Sequence, residues 1–478
     1  MTVHGNENLL HYDTIIVGAG ISGISAAYHL QTYNASKTYK ILERRDALGG
    51  TWDLFNYPGI RSDSDMYTFG FNFRPWEDDS SIAERDKIID YLRATVKENN
   101  IDQHIEYGVH IKKSSWSSDE TLWTLEAESG EIFTCQYIYM CAGYYNYDQA
   151  HEPVFEGIER FRGEVLHPQF WPDDAQYSDK NVVIIGSGAT AITLVPNIAK
   201  EAKHVTMLQR SPTYIGMSPA VNPFANFLAK WFGRRLTRWW FILSSMLVYW
   251  FCKTWPNYAK AKLIGDIEKE LGDSFDAKHF TPNYNPWDQR VCLCPDSDLF
   301  QSIKAGKASI ETDHINRFYD GGIELKSGTR LEADLVVQAT GLKMQFLGGI
   351  DFEVDGEKYI ANESYVYKGM MLSGVPNLFL AAGYTNASWT LKVDLSHRYA
   401  SRVIQYMDDR GYSKAMATIS EDLQETPLMD LSAGYIQRSL SMLPKQAVNK
   451  PWRLNQNFIL DSIALRFTSV DDDEMKFS

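Results

Sequence analysis

One local pattern occurs twice in this chain, and it restricts the fold more than any other feature. Thr14-Ile15-Ile16-Val17 is a β-branched run that leads into Gly18-Ala19-Gly20-Ile21-Ser22-Gly23 and then a helix-like segment, Ile24 to Gln31. Val182-Val183-Ile184-Ile185 leads in the same way into Gly186-Ser187-Gly188-Ala189-Thr190-Ala191 and an apolar helix running toward Ala199. Strand, glycine turn and helix in that order make a dinucleotide-binding unit. The first glycine permits the bend, the second lets backbone approach a pyrophosphate, the third lets helix and strand pack, and the helix N-terminus faces the anion. Glycine turns also arise for purely structural reasons, so the weight rests on the flanking elements and on a downstream acid. Glu43 ends the strand-like run Tyr39-Lys40-Ile41-Leu42 about twenty residues beyond Gly23, where a carboxylate can accept hydrogen bonds from a ribose. The second unit's next strand, His204 to Gln209, ends in Arg210-Ser211 instead. A guanidinium suits a ribose 2′-phosphate, which a carboxylate would repel, so NADPH rather than NADH is expected there. The bland alternatives are a solvated strand-end acid and a surface cation.

These units predict an α/β protein with two Rossmann-like dinucleotide-binding domains, and 478 residues are enough to bury two or three domain cores. The second domain is inserted into the first. A first part of one domain spans 1–148, the other begins at 149–214, a helical aromatic-rich insertion fills 215–285, the second domain resumes over 286–332, and the first over 333–478. In this reading Leu331 to Gly341 is the chain's way back to the first domain. A net charge of −14 argues against a nucleic-acid partner, because such affinity comes from cations neutralising phosphates. The five cysteines lack CxxC spacing and paired histidines, which gives no metal site and suggests reduced cytosolic thiols. No cysteine precedes Cys135, so the redox pair a flavin disulfide reductase needs after its first glycine turn is missing. The polar N-terminus has neither a basic leader nor an apolar run, and a cytoplasmic location is expected.

Between the two units lies Phe161-Arg162-Gly163-Glu164-Val165-Leu166-His167-Pro168-Gln169-Phe170-Trp171-Pro172. This run resembles the FxGxxxHxxxWP fingerprint of Baeyer-Villiger monooxygenases, within the class B flavoprotein monooxygenases, at every defined position; heteroatom-oxygenating relatives normally have Tyr or Phe where Trp171 stands. Gly49-Gly50-Thr51-Trp52, followed by Tyr57-Pro58-Gly59 and Asp63, is similar to a second motif of that family. Asn285 to Arg290, Gly383 to Trp389 and Pro451 to Asn457 most resemble its ethionamide-activating subgroup. The resemblance runs from about Asp13 to Phe458. It implies FAD held by the first glycine turn, with Gly18, Gly20, Ser22, Gly23, Glu43, Thr51, Trp52, Asp53, Leu54 and Ile111. Arg61, Ser62 and Asp63 would lie where flavin and nicotinamide meet. NADPH would be held by Gly186, Ser187, Gly188, Ala189, Thr190, Ala191, Arg210 and Ser211.

The same resemblance makes Arg290 the active-site arginine and Asp63 the carboxylate that orients it. Better-studied members carry Lys directly before that arginine, where this chain has Gln289, so Arg210 is left as the cation that selects NADPH. The implied reaction inserts one atom of O2 next to a ketone carbonyl, with sulfides and thioamides as further substrates. Its rivals are a flavin enzyme acting mainly as an S- or N-oxygenase, and a non-catalytic flavin-binding protein. His167 and Trp171 are expected to lock domain orientation, not to act as acid or base.

Residues 202–265 contain no Asp or Glu, and Trp239 to Cys252 is almost wholly apolar. Fourteen residues of helix reach about 21 Å, short of a hydrocarbon core of roughly 30 Å. Two readings stay open for 230–262. Its apolar residues line the substrate entrance or pack on the nucleotide domain, or they contact a membrane surface with Lys230, Arg234, Arg235, Arg238, Lys253, Lys260 and Lys262 as a basic fringe.

Overall fold

A computed structural model describes residues 9–420, 422–429 and 431–478; residues 1–8, on which the expectation about the N-terminus largely rests, lie outside the described part. The first glycine turn sits at the end of the strand Leu9–Val17, at the heart of a nine-stranded sheet. Ile15, Ile16 and Val17 are buried because the sheet is covered on both faces there, whereas Leu9 and Leu10 run out into solvent. The strand pairs in parallel with Tyr39–Glu43 on one side and Ile132–Met140 on the other. Beyond Ile132–Met140 the sheet turns antiparallel through Leu122–Ala127 and Ile111–Ser117. Helix α1 (Ile21–Tyr33) follows the turn and packs against a long helix late in the chain.

The second sheet has five strands, all parallel, in the order Ala308–Thr312, His204–Gln209, Asn181–Ile185, Leu335–Gln338, Glu164–Leu166. Its central strands Asn181–Ile185 and Leu335–Gln338 are covered on both faces and read as nearly continuous apolar runs. Helix α2 (Ala189–Ile198) follows its glycine turn. Leu335–Gln338 corrects the expected path: it does not open the return to the first domain but lies between Asn181–Ile185 and Glu164–Leu166. A parallel strand finds its neighbours through pairings distant in sequence, so its apolar composition fits either sheet equally well. The chain therefore leaves the second sheet only after Gln338, later than the boundary at 332. Glu164–Leu166, inside the twelve-residue fingerprint, is the edge strand of that sheet.

Between the two parts of the second sheet, Ile215–Ser218 first pairs in parallel with Cys292–Pro295. Three helices follow, α3 (Pro223–Phe232), α4 (Arg234–Thr254) and α5 (Pro256–Leu271). The apolar run at 239–252 is thus the middle of a longer helix. No described helix is long and apolar enough to cross a membrane. Arg238 is buried, and its guanidinium donates to the carbonyls of Tyr67, Thr68 and Gly70. It pins α4 to the first domain and is removed from the expected surface fringe. Helix α6 (Trp389–Arg410) then packs against α1, and α7 (Phe458–Arg466) packs on α6.

Candidate active site

The two glycine turns open onto one cavity of about 1310 Å3. That exceeds the roughly 300–1,000 Å3 of a typical single-ligand pocket. The turns are built alike. Gly18 has φ of 104°, and a Cβ there would lie 2.7 Å from the carbonyl oxygen of Cys141, where the neighbouring strand ends. Gly186 has φ of 143°, and a Cβ there would lie 2.3 Å from the Ala339 carbonyl oxygen, at the end of its own neighbouring strand. Only glycine accepts both the conformation and the contact.

Gly18, Gly20, Ser22, Glu43, Thr51, Trp52 and Ile111 all line the cavity. Glu43 Oε2 accepts from the Ala19 backbone N–H at 2.7 Å and Oε1 from the Arg45 N–H at 2.9 Å, so the strand-end acid also braces the glycine turn. Burial raises the Glu43 pKa, and the two backbone hydrogen bonds and neighbouring arginines counter this only in part. Ser22 Oγ accepts from the Trp389 indole N–H at 2.8 Å, which ties α6 to the first turn. Asp53 and Leu54 stand behind the cavity wall, because Thr51–Leu54 is a helical turn and only its first two side chains face inward. Asp53 pairs with Arg45 at 2.7 Å. Gly23 is buried in the packing of α1, and Ser62 Oγ accepts from the Ala83 N–H; neither lines the cavity.

On the second side Gly186, Ser187, Gly188, Ala189, Thr190, Arg210 and Ser211 line the cavity, while Ala191 is buried in the core of that domain. Arg210 has no ion-pair partner among the described residues. The same holds for Arg438, a cavity-lining residue that the sequence did not single out. Burial lowers the Arg438 pKa, and the Arg210 charge lowers it further.

Arg290 and Asp63 meet inside the cavity, Nη1 to Oδ2 at 3.6 Å. Arg61 also lines it, but its guanidinium is committed to Asp298. Burial opposes the Arg290 charge, yet Tyr144, Asp63, Tyr435 and Tyr145 more than offset this and hold its pKa above the ordinary arginine value. Its Nε is buried with no hydrogen-bond partner among the described residues. Tyr144 and Tyr145 share a hydrogen bond at 2.6 Å, and Tyr144 stacks on Trp389 with ring centroids 5.2 Å apart. Tyr435 and Arg438 belong to a late segment docked through the Ser432 N–H to the Asp288 carbonyl. Trp389 lies in a run already noted for its resemblance; nothing local marks Tyr435 or Arg438.

His167 also lines the cavity. Burial, with a smaller push from His151, lowers its pKa to about 4, so it is neutral at neutral pH. Its Nδ1 accepts from the Gln169 N–H at 3.1 Å, and Gln169 Nε2 donates to the Asn146 carbonyl at 2.7 Å, joining the fingerprint turn to the segment leaving the first sheet. Trp171 is buried in the second domain's core.

Comparison with known proteins adds to this geometry. A family model described as flavin-binding monooxygenase-like matches residues 13–426. The FAD-containing monooxygenase EthA of Mycobacterium tuberculosis is 47% identical, over 98% of each chain. Among solved structures, an oxidized steroid monooxygenase bound to NADP aligns with a TM-score of 0.72 at 22% identity, covering 85% of this chain and 88% of that one. An ε-caprolactone-bound cyclohexanone monooxygenase aligns with a TM-score of 0.73 at 19% identity, covering 98% of this chain and 100% of its own.

Proposed function

Because the chain belongs to the flavin-binding monooxygenase-like family, we propose that it is an FAD-containing, NADPH-consuming Baeyer-Villiger monooxygenase that inserts one atom of O2 next to a ketone carbonyl. The product is an ester or lactone, and sulfides and thioamides are further substrates. The observation that carries this reading is the Arg290–Asp63 pair inside a cavity shared by two glycine turns. The chemistry of one structural neighbour points the same way: ε-caprolactone is cyclohexanone with an oxygen inserted beside its carbonyl.

The residues present fit both cofactors. In this reading the domain of the first sheet holds FAD through Gly18, Gly20, Ser22, Glu43, Thr51, Trp52 and Ile111. The domain of the second holds NADPH through the turn from Gly186 to Thr190, with Ser211. Two guanidiniums with no ion-pair partner among the described residues line one cavity, and the 2′-phosphate that distinguishes NADPH is a dianion that both could bind. Arg438 thus joins Arg210 there and takes the place of the lysine missing at Gln289. Bound FAD, reduced by NADPH, supplies the chemistry that activates O2.

The protein's own part is to position and stabilise. Negative charge builds on the substrate carbonyl oxygen as it is attacked, and a fixed cation beside it lowers the barrier; losing one such donor typically costs about 3 to 4 kcal/mol. Arg290 suits that place because it stays charged at any working pH and so donates no proton to the oxidant. Asp63 orients the Arg290 fork. Neutral His167 has too low a pKa to serve as a base near neutrality, and it braces the junction between the domains instead.

The test is substrate-stimulated NADPH oxidation over linear ketones, cyclic ketones, sulfides and thioamides, with oxygenated products identified. Esters or lactones from ketones support the reading. Sulfoxides alone, with no ketone converted, would replace it with a heteroatom oxygenase.

A further inference from the structure

Helix α4 carries two faces with different neighbours. Phe241, Ser244, Ser245, Val248 and Cys252, at helical spacing, line the active-site cavity. Leu236, Trp240, Leu243, Leu247 and Phe251, also at helical spacing, face outward and are exposed. Val248 belongs to both sets: it lines the cavity and is 55% exposed. The cavity rim therefore lies along the outward apolar face.

That face is broad. Helix α3 adds Phe227 and Trp231, the latter 68% exposed. At the other side Trp239 packs on the buried Phe458 with ring centroids 5.7 Å apart, at the start of α7, whose Ile459, Leu460 and Ile463 are exposed. Contiguous apolar surface on this scale marks a contact site. Its charge is uneven. The whole chain carries −14, yet residues 202–265 hold no acid, and the acids that border this face, Glu77 and Asp79, lie at the Arg234 end of α4. Most of the expected basic fringe is engaged: Arg234 with Asp79, Lys253 with Asp288, Lys262 with Asp266, and Arg238 inside the protein. Lys230 and Arg235 are exposed beside Trp231 with no ion-pair partner among the described residues.

We propose that this face docks on an anionic bilayer and that the enzyme takes its substrate, a lipophilic long-chain ketone, from the bilayer through the rim at Val248. Tryptophan-rich apolar surface settles at the headgroup boundary, a neighbouring cation favours anionic lipid, and elsewhere the acidic protein is repelled by such a membrane. Docking orients the cavity mouth toward the phase in which such a ketone is dissolved. The substrate class rests on the ketone reading above; the docking does not.

The test uses the FAD-loaded enzyme with vesicles of phosphatidylcholine and phosphatidylglycerol at low salt, read by co-sedimentation. Wild type is expected to pellet with the vesicles, and Leu243→Glu/Leu247→Glu to pellet at least tenfold less, with Trp231→Ser as a milder second variant. These side chains stand outside the cavity, so the variants keep the flavin spectrum and the turnover of a short, water-soluble ketone. On a long-chain ketone supplied within the vesicles, the double variant loses at least tenfold. The proposal is overturned if wild type stays in the supernatant, if the double variant sediments or oxidises vesicle-borne ketone as wild type does, or if lipid-free wild type is a dimer that the same substitutions dissociate. Vesicle binding that depends on Leu243 and Leu247, in an enzyme that converts no ketone, would retain the docking and refute the ketone reading.

Discussion

Arg210 and Arg438, more than two hundred residues apart in sequence, line one cavity, and burial together with the Arg210 charge depresses the pKa of Arg438. A dianion seated between them would accept charge-assisted hydrogen bonds from both. Replacing either arginine with Ala should therefore raise KM for NADPH by about 10- to 100-fold, the range of one or two lost charge-assisted hydrogen bonds. KM for NADH should stay nearly unchanged, because NADH has no 2′-phosphate. Steady-state kinetics with both nucleotides check this. An equal loss for NADH and NADPH from Arg438→Ala would show that the residue acts on something other than the 2′-phosphate.

In the proposed mechanism Arg290 and Asp63 divide one task. Arg290→Ala should leave the flavin absorbance intact and lower ester formation by about 100- to 1,000-fold, the usual effect of removing one donor to a developing oxyanion. Arg290→Lys keeps the charge but loses the planar fork and should recover only part of the rate. Asp63→Asn leaves Arg290 in place with a weaker orienting partner, so kcat should fall by about tenfold with KM for the ketone little altered. Wild-type ester yield from Arg290→Ala would remove the residue from the mechanism.

What the sequence made legible follows the range of the interactions concerned. The glycine turns, the strand before each and the helix after each are local patterns, and His204–Gln209 was readable to the residue. Leu335–Gln338 was misplaced because membership of a parallel sheet is decided by partners elsewhere in the chain. Arg238 resembled a surface cation beside an apolar run, yet three backbone carbonyls of the first domain hold it inside. Thr51 to Leu54 read as one cofactor loop, but helical geometry turns Asp53 and Leu54 away. Tyr435 and Arg438 belong to no motif, and only the folding back of the late segment onto Asp288 brings them to the site.

His167 should leave a signature in stability, not in catalysis. Its folded pKa of about 4 lies below the ordinary histidine value of about 6.5. Between those values the unfolded chain binds the extra proton, so this contribution is fully present above about pH 6.5 and is lost as pH falls toward 4. Relative to His167→Gln, wild type should thus lose stability on acidification through that window, by roughly 1 to 3 kcal/mol. Thermal unfolding of both proteins at a series of pH values measures the difference. A constant gap from pH 7 to pH 4 would mean that His167 titrates alike in both states.

The two first-position glycines allow the two nucleotide sites to be broken separately. A Cβ at Gly18 meets the Cys141 carbonyl and a Cβ at Gly186 meets the Ala339 carbonyl, and both targets are backbone that cannot rotate aside. Each alanine also imposes a left-handed backbone conformation that glycine alone tolerates. The combined strain and overpacking should cost about 2 to 4 kcal/mol, and the turn should relieve it by shifting away from the phosphates it faces. Gly18→Ala is expected to yield a folded but colourless protein. Gly186→Ala should keep its flavin and its absorbance near 450 nm yet show little reduction by NADPH, read by anaerobic stopped-flow absorbance. If Gly186→Ala lost the flavin and Gly18→Ala kept it, the assignment of the two cofactors to the two sheets would be reversed.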